Sequence, residues 1–338
     1  MKSVIFGATV LMVVLASAAE ARNHLRIVSS PGDFVYTSKV AESFSREYRQ
    51  PAPVIRRTGS RTTIREFCAG IGVDHPDIVS LPRPMQQAEV DECRGNGVKR
   101  VTQIKVGYEA VVLARQRGAF RFDVNKVHLF RALAKEVPIH GRIVPNPYQK
   151  WSDIDPFLPP IPIRVIGPRA DTDIHQAFMK LVMDEACRTL PALTALDPHH
   201  RDRICTTFRS DGAFRSATRG YRDTVRLLER DSSRIAIMPY SVYEEWDEVL
   251  AAVQVDSVAP NPVTVAQSEY PIICPRFVYI KTQHYNRVPG LLEFVVEYTS
   301  DRAWGPDGYL IDDGLIPMTE RDRQWQRANA IGFTPMRR

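Results

Sequence analysis

Apolar residues in this chain gather in short continuous runs that alternate with stretches of helical spacing. The pattern is set early. Leu25, Ile27 and Val28 suit a short buried strand, and Tyr36, Val40, Ala41, Phe44 and Tyr48 then recur at i, i+4, i+5, i+8 and i+12, one face of a helix. The polar break between them is Ser29-Ser30-Pro31-Gly32-Asp33. Ser30, Gly32 and Asp33 stand where an N-cap belongs, since a short oxygen-bearing side chain there accepts from the free N–H groups of the first turn. A strand, a tight turn and a helix N-terminus also form an anion site, because unpaired N–H groups and the helix dipole point at the turn.

The alternation continues along the chain. "APVIRRTG" reads as a strand, followed by a turn and a short helix carrying Ile64 and Phe67. "PDIVSL" is another strand, and "YEAVVLAR" a longer one suited to bridging two lobes. "KVHLFRALAKEV" is helical, "IPIRVIGP" a strand, and "ADTDIHQAFMKLVMDEAC" a helix burying Ile174, Phe178, Leu181, Val182 and Ala186. "SRIAIMPYSVYEEW" is a strand turning into a helix, "FVYIK" a strand that returns the chain to the first lobe, and "GLLEFVVEYTSDRAW" a helix. Strands alternating with helices predict an α/β protein. Three strand-to-helix joints carry small polar residues: 29–33, Thr58-Gly59-Ser60-Arg61-Thr62-Thr63, and Arg169-Ala170-Asp171-Thr172-Asp173. In open α/β sheets ligands bind outside the carboxyl ends of the strands, so three such joints facing one cleft would surround a small anion with hydroxyls and N–H groups.

Composition sets the scale. The 338 residues, 44% hydrophobic and 25% charged, supply ample core for roughly two domains. A net charge of +6 without a Lys/Arg run or basic stripe is not a nucleic-acid signature. The first 21 residues carry Lys2, an apolar run from Val4 to Leu15 and a closing Ala19-Glu20-Ala21, the pattern of a cleavable secretory signal. The run is short for a membrane span, and no Cys follows it to accept a lipid. A mature chain exported to the periplasm is expected to start near Arg22. Disulfides are plausible in an oxidising compartment, and the natural local pairs are Cys68 with Cys93 and Cys187 with Cys205, which leaves Cys274. No Cys/His cluster suggests zinc; His175 and the pair His199-His200 read as solvated. The sequence has no GxSxG, HExxH or Walker A run, so no enzyme activity, catalytic residue, metal or cofactor is expected.

Several of these stretches together resemble the periplasmic phosphate-binding proteins, the substrate-binding components of phosphate ABC importers. The likeness runs through "VAESF", "REFCAG", "PDIVSLPRPM", "EVDECRGNGV", "KVGYEAVVLA", "YQKWSDIDPFLPPIPIRVIGP", "SRIAIMPYSVYEE", "YPIICPRFVYIK" and "GYLIDDGLIPM". The resemblance implies two α/β lobes, joined by a two-strand hinge, that grip an anion in the cleft between them, as in a type II periplasmic binding protein. Here that division is 1–21 signal, 22–110 plus 275–338 as lobe I, and 111–274 as lobe II. It further implies phosphate or a related small oxyanion as ligand, a membrane ABC permease as partner, and a monomer.

The anion loops depart from the family's pattern. Where the family reads Gly-Ser-Ser-Thr, Ser29, Ser30, Pro31 and Gly32 align, and two of three hydroxyls are missing. The second loop keeps Ser60, with Arg61, Thr62 and Thr63 where the family is glycine-rich. Pro82 stands at the family's acceptor position, beside Ser80 and Arg83. In the third loop Thr172 replaces a serine, while Asp173 and Ile174 stand for Gly and Thr. The expected ligand set is Ser30, Gly32, Asp33, Phe34, Ser60, Arg61, Ser80, Arg169, Thr172 and Asp173, with Arg61 or Arg169 supplying the guanidinium that suits a tetrahedral oxyanion. A carboxylate about 4 Å from a bound anion costs roughly 4 kcal/mol at an effective dielectric of 20, about three decades in affinity. Asp33 and Asp173 therefore decide whether this pocket holds an oxyanion well, unless they cap their own helices.

Overall fold

The first strand, β1 (Arg26–Ser29), leads through the polar turn into α1 (Phe34–Tyr48), as the spacing predicts. Residues 22–336 are described by the computed structural model of the protein; the expected leader, 1–21, lies outside them. The chain continues through β2 (Val54–Arg57), α2 (Ser60–Cys68), β3 (Ile78–Leu81), α3 (Gln87–Gly95) and β4 (Val101–Gln116). β1 lies between β2 and β3, parallel to both. The strand Ile273–Lys281 joins them, antiparallel to β3 and to the first part of β4, Val101–Ala110.

Beyond that point β4 changes partners. Val111–Arg115 pairs antiparallel with Ile235–Pro239, and Ala114–Gln116 with Leu250–Ala252. Val165–Gly167 and then Phe214–Ser216 extend this second sheet in parallel. One 16-residue strand thus serves two sheets. Residues Ala110 to Ala114 are fully buried, as expected for a strand covered on both faces. The ladder with Ile273–Lys281 slips once: Arg276 faces Gly107, but Phe277 faces Lys105, so the extra residue of β4 makes a bulge. Gly107 is required there. It has φ of +155°, and a Cβ would lie 2.9 Å from the Ile316 carbonyl, whose oxygen accepts from the neighbouring Tyr108 N–H at 2.9 Å.

Four details depart from the expected elements. The helix read over "KVHLFRALAKEV" stops at Leu133, because Glu136–Ile139 pairs with Arg142–Pro145 as a hairpin. The helix over 170–187 holds a π turn at Met179–Asp184. The one over 290–304 breaks at Ser300, whose hydroxyl accepts from the Ala303 N–H and starts a second short helix. A C-terminal helix, Glu320–Ile331, lacks a clear apolar stripe. It is anchored on the first part of β4, where the Lys105 N–H donates to Gln326 Oε1 at 3.0 Å. Among the described residues no helix is long and apolar enough to cross a membrane.

Both expected disulfides are formed. Cys68–Cys93 joins α2 to α3, and Cys187–Cys205 closes a helical pair in the other half. Cys274 is buried and unbridged, and burial pushes its thiol up to about 12. Peptide mapping without reduction should recover these two pairs, and thiol reagents should reach Cys274 only after denaturation. Replacing either pair by alanines should cost about 2–5 kcal/mol of stability, read from chemical unfolding. Rapid labelling of Cys274 in the native protein would contradict the packing.

Candidate functional site

The polar turn before α1 folds on itself. Ser30 Oγ donates to Asp33 Oδ2 at 2.5 Å, and the Asp33 N–H donates to the Ser30 carbonyl at 3.2 Å. Asp33 occupies the N-cap position of α1, but its carboxylate caps nothing. It instead faces Arg276, whose Nη1 is 3.5 Å from Asp33 Oδ1. Thr37, Ser80 and Ser29 form a buried hydroxyl chain behind the turn, with Thr37 Oγ1 and Ser80 Oγ 2.7 Å apart and Ser80 Oγ donating to Ser29 Oγ at 3.2 Å.

Arg276 is the residue that sequence reasoning missed. It sits at the bulge, 3% exposed. Its Nε and Nη1 have no hydrogen-bond partner among the described residues, a costly state for a buried guanidinium. Burial alone would lower its pKa, but Asp33, Tyr36 and Glu109 outweigh it and hold Arg276 charged. Glu109, opposite Cys274 on β4, is also buried. Burial raises its pKa, while Arg276 and three donors oppose that shift: the N–H groups of Ala110 and Tyr240, both at 2.9 Å, and Ser241 Oγ at 3.2 Å.

The third joint meets the first two across the gap between the sheets. The Gly32 N–H, just before α1, donates to Asp173 Oδ2 at 2.7 Å. Ser60 Oγ, at the start of α2, donates to Asp173 Oδ1 at 3.4 Å. Asp173 is not a cap: Thr172 holds that position, accepting from the His175 N–H at 3.3 Å and donating to the Arg169 carbonyl at 2.7 Å. The backbone and hydroxyl donors that begin α1 and α2 thus hold a carboxylate from the far side. A side chain at Gly32 would displace this contact, since a Cβ there would lie 2.5 Å from Asp173 Oδ2 and 3.3 Å from Arg276 Nη1.

Ser30, Gly32, Asp33, Ser60 and Asp173 are therefore brought together, with Ser80 in the layer beneath. Phe34 is half-buried beside them, with the Arg57 guanidinium 5.5 Å from its ring centre. Neither expected arginine takes the central role. Arg169 is exposed and forked onto Asp171, because the neighbouring carboxylate is nearer than the cleft. Arg61 is exposed in the first turn of α2. The signal for Arg276 was a lone charge within the apolar run "IICPRFVYI".

The cluster holds three carboxyl groups and one guanidinium. Burial pushes the Asp33 carboxyl from 3.8 up to about 6, against the pull of Arg276 and the Ser30 hydrogen bond and with a further push from Asp173. A carboxyl whose folded pKa is raised binds more protons folded than unfolded, so stability falls as pH rises between those two values. Asp33→Asn should flatten this fall, worth about 3 kcal/mol for a shift of that size, while leaving Arg276 without its nearest countercharge, so its stability relative to the parent should be least unfavourable above pH about 6. Denaturant titrations of both forms across that range read the slope directly; parallel curves would sink the assignment.

A family model described as a PBP superfamily domain matches residues 16–302. Protein SphX of Synechococcus elongatus is 24% identical over 300 residues, covering 84% of this chain and 78% of that protein. A possible phosphate binding protein from Planctomyces limnophilus superposes with a TM-score of 0.62 at 17% identity, over 91% of this chain and 98% of that one. An ABC-type phosphate transport receptor from Vibrio cholerae does so with a TM-score of 0.62 at 12% identity, over 87% and 99%.

Proposed function

From its membership of the PBP superfamily, we propose that this chain is a periplasmic solute-binding protein that captures phosphate or a related small oxyanion for an ABC importer. The observation that carries the reading is Arg276, a buried guanidinium with two unsatisfied nitrogens beside donors from the starts of α1 and α2 that already hold one anionic group. That is chemistry for gripping an oxyanion and not for transforming one. The named roles of the relatives, a possible phosphate binding protein and an ABC-type phosphate transport receptor, support the same ligand class.

In this reading residues 22–110 and 275–338 form one lobe and 111–274 the other. The change of partners along β4 supports that division. The oxyanion sits where Gly32, Ser60 and Arg276 converge, with Ser30 and Ser80 supporting the turn and Asp33 as the nearest proton acceptor. A membrane permease receives the ligand, and the protein acts as a monomer, exported by a cleaved leader without lipid attachment. It needs no cofactor and catalyses nothing.

Calorimetric titration of the purified protein against phosphate, arsenate, sulfate and phosphonates tests this. Binding of at least one tetrahedral oxyanion is expected, more weakly than in a relative whose loops carry no carboxylate. One observation favours a second reading: the Asp173 carboxylate occupies the donors that a ligand needs. A fold that had lost its ligand and served as a periplasmic structural or sensory partner would show no binding at millimolar oxyanion, even after Asp173→Gly.

A further inference from the structure

We propose that Asp173 is a tethered anion that closes the cleft on itself, so that solute enters by displacing a side chain rather than by filling an open site. This rests on the reading of the cleft as the solute site. The helix that begins at Asp173 does not use the carboxylate, because the Thr172 hydroxyl accepts from the His175 N–H in its place. Both carboxylate oxygens reach instead to the other sheet's helices, Oδ2 to the Gly32 N–H and Oδ1 to Ser60 Oγ. A single side chain thereby links a loop of the second sheet to the starts of both α1 and α2.

Two features show that the contact is built in. Only glycine at residue 32 leaves the contact undisturbed, because a Cβ would displace Asp173 Oδ2. The Arg276 guanidinium lies beside the same point and lends it positive field. A tethered group competes at an effective concentration on the order of millimolar or above, so a solute must outcompete the side chain to bind. The consequence is a closed form available without solute. A partner that reads closure would then meet a protein whose closed state does not by itself report occupancy.

Small-angle scattering of the purified protein, with and without millimolar phosphate, tests this. The parent should keep one radius of gyration in both conditions. Asp173→Gly and Gly32→Ala, which break the contact from either side, should each give a larger radius without phosphate. Circular dichroism checks that both are folded, and Asp173→Ala, which leaves no acceptor for the Gly32 and Ser60 donors, serves as a third form if either is not. Asp173→Gly should contract on adding phosphate. If the parent and all three variants share one radius without phosphate, the tether is refuted, whatever they bind. If the variants expand but phosphate neither binds nor contracts them, the tether stands and the oxyanion reading fails.

Discussion

Asp173→Gly is expected to bind phosphate about a thousandfold more tightly than the parent protein. Phosphate taking the Gly32 and Ser60 donors must push the carboxylate aside, and the short Asp side chain cannot carry the charge far. Two like charges about 4 Å apart repel by roughly 4 kcal/mol at an effective dielectric of 20, about three decades in affinity. Glycine removes the repulsion and the competition together, and costs the helix little because Thr172 keeps the cap. Asp173→Asn removes the charge but keeps an acceptor on the same donors, so its gain should be intermediate. Calorimetry at fixed pH reads the series. A gain below tenfold for the glycine variant, or a loss, would show that the carboxylate supports the bound ligand instead of opposing it.

Arg276→Met should abolish oxyanion binding and destabilise the fold by about 3–5 kcal/mol. Removing one partner of a buried ion pair leaves the other charge uncompensated. Asp33 and Glu109 both lean on this guanidinium, so methionine strands two buried carboxyls at once. The double variant Arg276→Met with Asp33→Asn should recover part of that stability and none of the binding. The split separates the two roles of Arg276, one towards its neighbours and one towards a ligand. Denaturant unfolding and phosphate titration of the same three samples provide the check. Retained micromolar binding in Arg276→Met would remove the residue from the site.

What could be read from the sequence follows from the range of the interactions. Strand, polar turn and helix around Ser30 and Gly32 are specified within some twenty residues by apolar spacing and form as read, although no side chain caps α1. The disulfides are similarly local. Arg276 acquires its meaning only when its strand pairs with β4, far away in the chain, and sets a lone charge beside Asp33 and near Glu109. The aim of Asp173 depends on how one sheet sits against the other, and no spacing pattern encodes that. Asp173 is free of its own helix because Thr172, one residue earlier, has a hydroxyl that takes the cap. The C-terminal helix escaped notice for a different reason. Its buried side is built from Arg323, Gln326 and Ala330, so the apolar stripe that marks a helix is absent.

On the proposed division into two lobes, the bulge on β4 places Arg276 close to the crossing between them. Arg276 pairs with Gly107, only a few residues from where β4 passes at Ala110 and Val111 from one sheet to the other. At about 3.3 Å per residue that is on the order of 10 Å of strand. If the two lobes rotate about this crossing, displacement grows with distance from it. Arg276, Gly32 and Ser60 then move as one body, and only the loop bearing Asp173 swings relative to them. Opening would withdraw the Asp173 carboxylate and leave the guanidinium with the Gly32 and Ser60 donors, so an arriving anion would meet all three together.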